Sequence, residues 1–245
     1  NLDGLSWRKI EAKGKIPPGR SHHAAVVTKE GKMLVFGGQV SKKRYDNALW
    51  LFDIEKGEWT QPNSVGSIPR GRAGHTLTAI WTAANGGDSY IMFGGHVDQH
   101  CSQELFMLSS DKMCWIKPAC GGAPPAPTSG HVAVAIGSSL AIFGGYCYTR
   151  VGTQFWNTLH ILSTETWLWS RPQMTGINPQ GCSEHSGVVV GSSMFVFGGT
   201  RESGEATREL LVLDLSKLQE SELSSTRRQA DGSHGFLSGG HNSSR

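Results

Sequence analysis

The chain lacks most of the features that would assign a function directly. No apolar run among its 245 residues approaches the length of a membrane span. Charged residues make up only 18% and leave a formal net charge of +3, too small a surplus for a nucleic-acid surface. The basic residues are scattered, apart from Lys42, Lys43 and Arg44. Cysteine is sparse and odd in number: Cys101, Cys114, Cys120, Cys147 and Cys182 contain no C-x-x-C pair, which favours free thiols in a reducing compartment, cytoplasmic or alternatively nuclear, over a disulfide framework. No G-x-x-x-x-G-K-[ST] phosphate loop, G-x-S-x-G nucleophile string or H-E-x-x-H pair occurs. Helical periodicity is almost absent. The sequence opens at Asn1 with neither an initiator methionine nor a signal peptide, as expected of a processed chain or a fragment.

What is abundant is glycine, with 32 residues, and its placement repeats. Four apolar runs close on Phe-Gly-Gly: "KMLVFGG" at Gly37 and Gly38, "SYIMFGG" at Gly94 and Gly95, "SLAIFGG" at Gly144 and Gly145, and "SMFVFGG" at Gly198 and Gly199. Four histidines, His23, His75, His131 and His185, fix the register. Each follows a proline by six residues (Pro17, Pro69, Pro125, Pro179) and a tryptophan by sixteen (Trp7, Trp59, Trp115, Trp169). A repeat held at two offsets has to be read as architecture before any single residue is given a role. Within each unit, short segments rich in Val, Ile, Leu, Phe and Trp are bounded by Gly, Pro, Asn and Ser, which predicts four strands per unit. Only the second unit is longer, through the wider turn "TAANGGD". The run before each Gly-Gly is continuously apolar, so its strand is covered on both faces. Small sheets stacked in a ring satisfy that demand, and the glycines then stand where neighbouring sheets crowd near the axis.

The order of His, apolar strand, Phe-Gly-Gly, Asn-x-Leu (Asn47 and Leu49, Asn157 and Leu159) and a Trp about six residues after a strand-end Asp such as Asp53 resembles the kelch repeat. The resemblance implies an all-β, kelch-type β-propeller over residues 1–216, with four recognisable four-stranded blades at about 17–66, 69–122, 125–176 and 179–216. The fourth unit stops at Asp214 without a Trp strand, while Trp7 (strand 5–11) has no partners before it. The strand around Trp7 is therefore expected to complete the last blade beside residues 208–214. Four blades are fewer than the five to seven usual for the family, which also leaves open a part of a larger propeller. Residues 217–245, polar and rich in Ser and Gly, are expected to be a disordered tail.

The repeated residues are expected to be structural. A group that recurs once per blade, as His23, His75, His131 and His185 do, is a packing or hydrogen-bonding position. The aligned Trp7, Trp59, Trp115 and Trp169 read as core. His96, Asp98, His100 and Cys101 lie within six residues of one another, but their spacing matches no metal motif, and neither metal nor organic cofactor is expected. Of the kelch-fold enzymes, galactose oxidase depends on a copper site that here could only be assembled from residues distant in sequence, such as Tyr146, Tyr148 and His160, and the specifier proteins on an E-x-x-x-D-x-x-x-H string that does not occur, so a metal-dependent enzyme is the minor alternative. The resemblance implies instead a noncatalytic interaction module, an adaptor or scaffold. A ubiquitin-ligase substrate receptor is a further alternative, although no BTB or F-box segment accompanies the repeats. In peptide-binding kelch propellers the loop before the first strand and the loop after Gly-Gly share the binding face. Carried over, these are Arg20, Arg72, Thr128 and Cys182 in the first loop, and Gln39, His96, Tyr146 and Thr200 in the second. The long third loop adds Tyr148, Arg150, Phe155 and Trp156. Arginines on that face predict a protein partner presenting an acidic peptide or loop.

Overall fold

The computed structural model describes residues 6–81, 88–216 and 218. The tail from residue 219 on, together with Lys217 and most of the "TAANGGD" turn, lies outside the described residues. Each of the first three repeats folds as the predicted four antiparallel strands, paired in sequence order. In the first they are Ala24–Val27, Met33–Phe36, Leu49–Asp53 and Glu58–Thr60. In the second they are Thr76–Trp81, Asp88–Phe93, Leu105–Ser109 and Cys114–Ile116. The third has Val132–Ile136, Ser139–Phe143, Leu159–Ser163 and Leu168–Ser170. The fourth shows three among the described residues, Ser186–Val190, Ser193–Phe197 and Leu210–Asp214. The first strands of successive blades lie side by side around the axis. The strand ending in Phe-Gly-Gly is thus second from the axis and not innermost.

A fifth strand, of two residues, was not visible in the sequence. Lys13–Gly14, Val65–Gly66 and Gly121–Gly122 each leave the chain just after a tryptophan segment and pair in parallel with the outer strand of the next blade. Each stitches one repeat to its neighbour. Gly14, Gly66 and Gly122 adopt positive φ, and a Cβ there would collide with the carbonyl oxygen of Trp59, Trp115 or Trp169, so only glycine fits.

The blades stack through three apolar joints. Leu34, Phe36 and Leu49 of the first blade meet Leu77, Tyr90, Met92, Phe106, Leu108 and Trp115 of the second. Ile80, Ile91, Phe93 and Leu105 on its other face meet Leu140, Ile142, Leu162 and Trp169 of the third. Val134, Ile136, Phe143 and Ile161 then meet Met194, Val196 and Leu215. Successive residues of one strand, Met92 and Phe93 for example, enter different joints, which is why the run is apolar throughout. Each such side chain contributes about 1.5–3 kcal/mol on burial. Trp115 packs on Phe36 of the preceding blade at 4.9 Å between ring centroids, and Trp169 on Phe93 at 5.5 Å. Trp59 rests instead on Phe52 of its own blade.

The expected completion of the last blade by Trp7 is corrected. Trp7 is fully exposed, at 104% relative accessibility, in a segment without strand structure. Among the described residues Leu210–Asp214 pairs with Ser193–Phe197 alone. The reason lies in the stitches. Trp7 stands as far before Lys13 as Trp59 before Val65, so it holds the repeat position of an outer-strand tryptophan on the side of the first blade away from the second, where no blade packs among the described residues. The first strands of the first and fourth blades are not packed together as the others are. The far face of the fourth blade, with Val188, Val190, Phe197, Leu210 and Val212, is exposed accordingly. An apolar cavity of about 220 Å³, lined by Phe143, Met174, Met194, Leu211 and Leu213 among others, lies beside the phenylalanine that Trp115 and Trp169 cover in the other joints. All five cysteine thiols are free, and among the described residues no helix is long and apolar enough to cross a membrane.

Candidate functional site

The repeated glycines and histidines form the joints. The first glycine of each of the first three pairs lies under the histidine of the next blade: a Cβ on Gly94 would meet His131 Cε1 at 2.8 Å, and one on Gly37 or Gly144 would meet Cε1 of His75 or His185 at 2.5 Å. The second glycine donates its N–H across the joint, Gly38 to Arg72, Gly95 to Thr128 and Gly145 to Cys182, each to the backbone carbonyl at 2.8 Å. All of these glycines have positive φ. The histidines stand edge-on to the phenylalanine of the preceding blade, His75 to Phe36, His131 to Phe93 and His185 to Phe143. His131 Nε2 shares a hydrogen bond with the Thr76 hydroxyl at 3.0 Å, and His185 Nε2 donates to the Phe143 carbonyl at 3.2 Å. Burial lowers the pKa of His75 to about 3, helped by the Arg72 charge, and burial with His185 nearby lowers that of His131 to about 3. His23, with no blade packed on that side among the described residues, is more exposed. The imidazoles of His75 and His131 are therefore neutral at neutral pH and packed in the joints.

Arg20 and Arg72 do not point into the loop-lined face, which corrects the expectation that they contact a partner. Arg72 is completely buried. Its Nη1 donates to the Gly94 carbonyl at 3.0 Å, its Nη2 meets Glu104 at 3.0 Å, and its guanidinium lies 5.3 Å from the centre of the Phe106 ring. Arg20 repeats the arrangement with Gly37 at 2.8 Å, Asp46 at 3.0 Å and Trp50 at 5.5 Å. Burial opposes ionisation of Glu104, but Lys117 and Arg72 overcome it and hold the carboxyl below its ordinary value. Thr128, also buried, fills the same slot with a hydroxyl donated to the Gly144 carbonyl at 3.3 Å. The slot therefore satisfies the carbonyl of the first glycine. A signal for this existed: where Arg gives way to Thr128, the acid ahead of the third strand is missing as well.

The loops themselves gather as expected. Gln39, His96 and Tyr146 bridge to Ser21, Ala73 and Ser129, and Thr200 pairs with Ser183, which puts both loop sets on one face. There a cavity of about 370 Å³ is lined by residues of all four blades, among them His22, Gln39, Tyr45, His96, Asp98, Ser129, Tyr146, Tyr148 and Glu184. Thr200, Arg150 and Trp156 do not line it. Arg150 sits exposed at the tip of the hairpin formed by Tyr146–Thr149 and Gly152–Phe155, and the Trp156 indole donates inward to the Pro127 carbonyl at 3.3 Å. His96, Tyr146 and Tyr148 form an aromatic cluster, with 5.5 Å between the first two centroids and 5.6 Å from His96 to Tyr148. Phe155 stacks behind Tyr146 at 5.9 Å. Burial, then the His22 charge, holds His96 below its usual pKa. Burial next to Cys147 pushes the Cys101 thiol up to about 12. The stretch from His96 to Cys101 does not converge on a metal: His96 and Cys101 face each other across a short hairpin, Asp98 pairs with Arg70 at 2.6 Å, and His100 is exposed. Among the described residues no three His, Cys, Asp or Glu side chains are grouped as a metal site requires.

Sequence reasoning missed His22 and Glu184. They precede the aligned histidines His23 and His185, where the middle repeats have Gly74 and Gly130. All four have positive φ, and their backbones form a ladder around the axis. Gly74 N–H donates to the His22 carbonyl at 2.9 Å, Gly130 to Gly74 at 2.9 Å and Glu184 to Gly130 at 2.8 Å. Two glycines at one repeat position, offset from the conspicuous pairs, were the available signal.

Four-stranded sheets joined by Gly-Gly and histidine around an axis, with variable loops on one face, define a kelch-repeat β-propeller. The chain belongs to the family of the KLHDC2/KLHL20/DRC7 Kelch-repeats domain, which matches residues 1–84 and 81–243. It is 30% identical to Kelch domain-containing protein 2 of Bos taurus over 91% of this chain, and 29% identical to Host cell factor of Drosophila melanogaster over 86%. The chain spans 61% of the length of the first and 16% of the second. Among solved structures, the one titled "Structure of YjhT" shares the fold with a TM-score of 0.66 at 18% identity, covering 85% of this chain and 70% of that one.

Proposed function

We propose that the chain acts as a noncatalytic protein-interaction module whose loop-lined face holds a peptide or loop of a partner. The observation that carries this is the division of labour within the repeat. Residues that recur in every blade are consumed in the joints, whereas the cavity on the loop face is lined by side chains that differ from blade to blade. A concave site of this size fits an extended segment better than a flat protein surface. The histidines of the joints are buried, and His75 and His131 are held neutral down to a pKa of about 3, which favours binding over catalysis.

The test is selection of displayed peptides on the purified chain, repeated with Tyr148→Ala and with Lys56→Glu, a substitution on an exposed turn between the third and fourth strands of the first blade. Capture is expected to drop about tenfold or more for Tyr148→Ala, as for an aromatic anchor, and to persist for Lys56→Glu. Equal loss or equal retention in both variants would exclude the loop face.

A further inference from the structure

The charge of the loop-lined cavity is opposite to the one the sequence suggested. Both arginines expected there are turned into the blades, and neither lysine nor arginine appears among the residues lining the cavity. Its carboxylates are Asp98 and Glu184. Asp98 is engaged by Arg70. Glu184 is exposed and makes no ion pair among the described residues. It is presented at the axis by a left-handed backbone (φ 57°), a conformation costly for a side chain other than glycine. Beside it, Tyr146 and Tyr148 meet at 81° with 5.2 Å between ring centroids, forming an open corner. Tyr146 is fixed from behind by Phe155, and the Cys101 thiol donates to its backbone carbonyl at 3.4 Å. Tyr148 keeps 60% of its surface exposed. The Glu184 charge reaches Tyr146, adding to the burial that raises its phenol pKa. His96, held toward its neutral form, adds a third ring without adding a positive charge at neutral pH.

We infer that the loop-lined face selects a cationic side chain, a lysine ammonium or an arginine guanidinium of the partner segment, held in the Tyr146–Tyr148 corner with Glu184 as counter-ion. Aromatic faces attract cations through their quadrupole, and a carboxylate at the same site makes the attraction a charge-assisted hydrogen bond. An acidic segment would meet Glu184 and Asp98 with no lysine or arginine lining the cavity to receive it. This rests on the peptide-binding reading above and gives it a ligand class.

The experiment titrates the purified chain with blocked single residues, Nα-acetyl methylamides of arginine, lysine, norleucine and glutamate, while following the ring resonances of Tyr146 and Tyr148. The two cationic probes are expected to shift both rings saturably in the millimolar range, with norleucine and glutamate at least tenfold weaker. Glu184→Gln should weaken the cationic probes several-fold while the protein keeps its melting temperature, and added salt should weaken them likewise. Equal shifts from norleucine, stronger shifts from glutamate, or no saturable response to either cation would overturn the inference. Failure of the peptide-binding reading is recognised separately, because there the selected peptides would ignore Tyr148→Ala whatever their charge.

Discussion

The joints and the loop face are built from adjacent residues yet follow opposite rules. In the joints, each repeat spends the same residues on the same contacts, and even the variation from Arg72 to Thr128 preserves one hydrogen bond to a glycine carbonyl. On the loop face, one or two positions away, Gln39, His96, Tyr146 and Thr200 share a backbone position and no chemistry. The difference teaches that variability between repeats is not by itself a mark of binding. A position can vary because different side chains meet the same internal demand.

The largest effect that would sharpen this contrast is expected at Arg72. Arg72→Met leaves the Gly94 carbonyl and the Glu104 carboxylate without their shared partner, and should cost about 3–5 kcal/mol in urea unfolding. A loss below about 1 kcal/mol would return Arg72 to the list of surface residues. Next comes pH. His75 and His131 have folded pKa values near 3, below the ordinary 6.5, so the unfolded chain binds more protons between those values. Their contribution to stability is complete above pH 6.5 and is lost as pH falls toward 3. For each histidine the slope approaches 1.4 kcal/mol per pH unit, so together they should cost about 2–3 kcal/mol between pH 6 and 5. His75→Asn with His131→Asn should flatten that dependence; an unchanged slope would show that neither imidazole titrates on unfolding.

Smaller still is a comparison between glycines at the same repeat position. Gly94→Ala adds a Cβ 2.7 Å from the Thr128 carbonyl and 2.8 Å from His131, whereas on Gly198 the nearest atom is 3.6 Å away. Both have positive φ, +69° and +71°. The first should cost about 2 kcal/mol or more and the second about 1 kcal/mol, the conformational part alone. Equal melting temperatures for the two variants would mean that the crowding at the joint is relieved without cost. The smallest stability effect belongs to Tyr148→Ala, expected within about 0.5 kcal/mol as for surface sites, while peptide capture is expected to drop about tenfold or more.

What the sequence made legible was whatever recurs. Strands, Phe-Gly-Gly turns and joint histidines could be read because a register held four times separates periodic demand from accident. The stitches escaped because two exposed residues such as Val65–Gly66 carry no periodicity. The arginines were misassigned because their partners, Asp46 and Glu104, lie far along the chain and at slightly different offsets from the third strand. Glu184 and His22 could not be placed on the face from residue type alone, since it is a left-handed backbone that turns them there. Trp7 was assigned to the wrong neighbour because the sequence carries the period but not the curvature that decides whether the last unit comes round to the first.

The ladder of backbone bonds at the axis has a sense of direction. Every step runs from the N–H of a later repeat to the carbonyl of an earlier one, Glu184 to Gly130 to Gly74 to His22, so the arc behaves as a one-way chain of links. Its residues directly follow Ser21, Ala73, Ser129 and Ser183, the very positions that anchor the variable loops. The spacing of the links is therefore a gauge for the spacing of the loops. Lengthening a hairpin at the rim leaves that gauge untouched, whereas one distorted link resets the distance between two neighbouring loops at once. The mouth of the cavity is dimensioned by main chain while its chemistry is written in side chains, and the two can change independently.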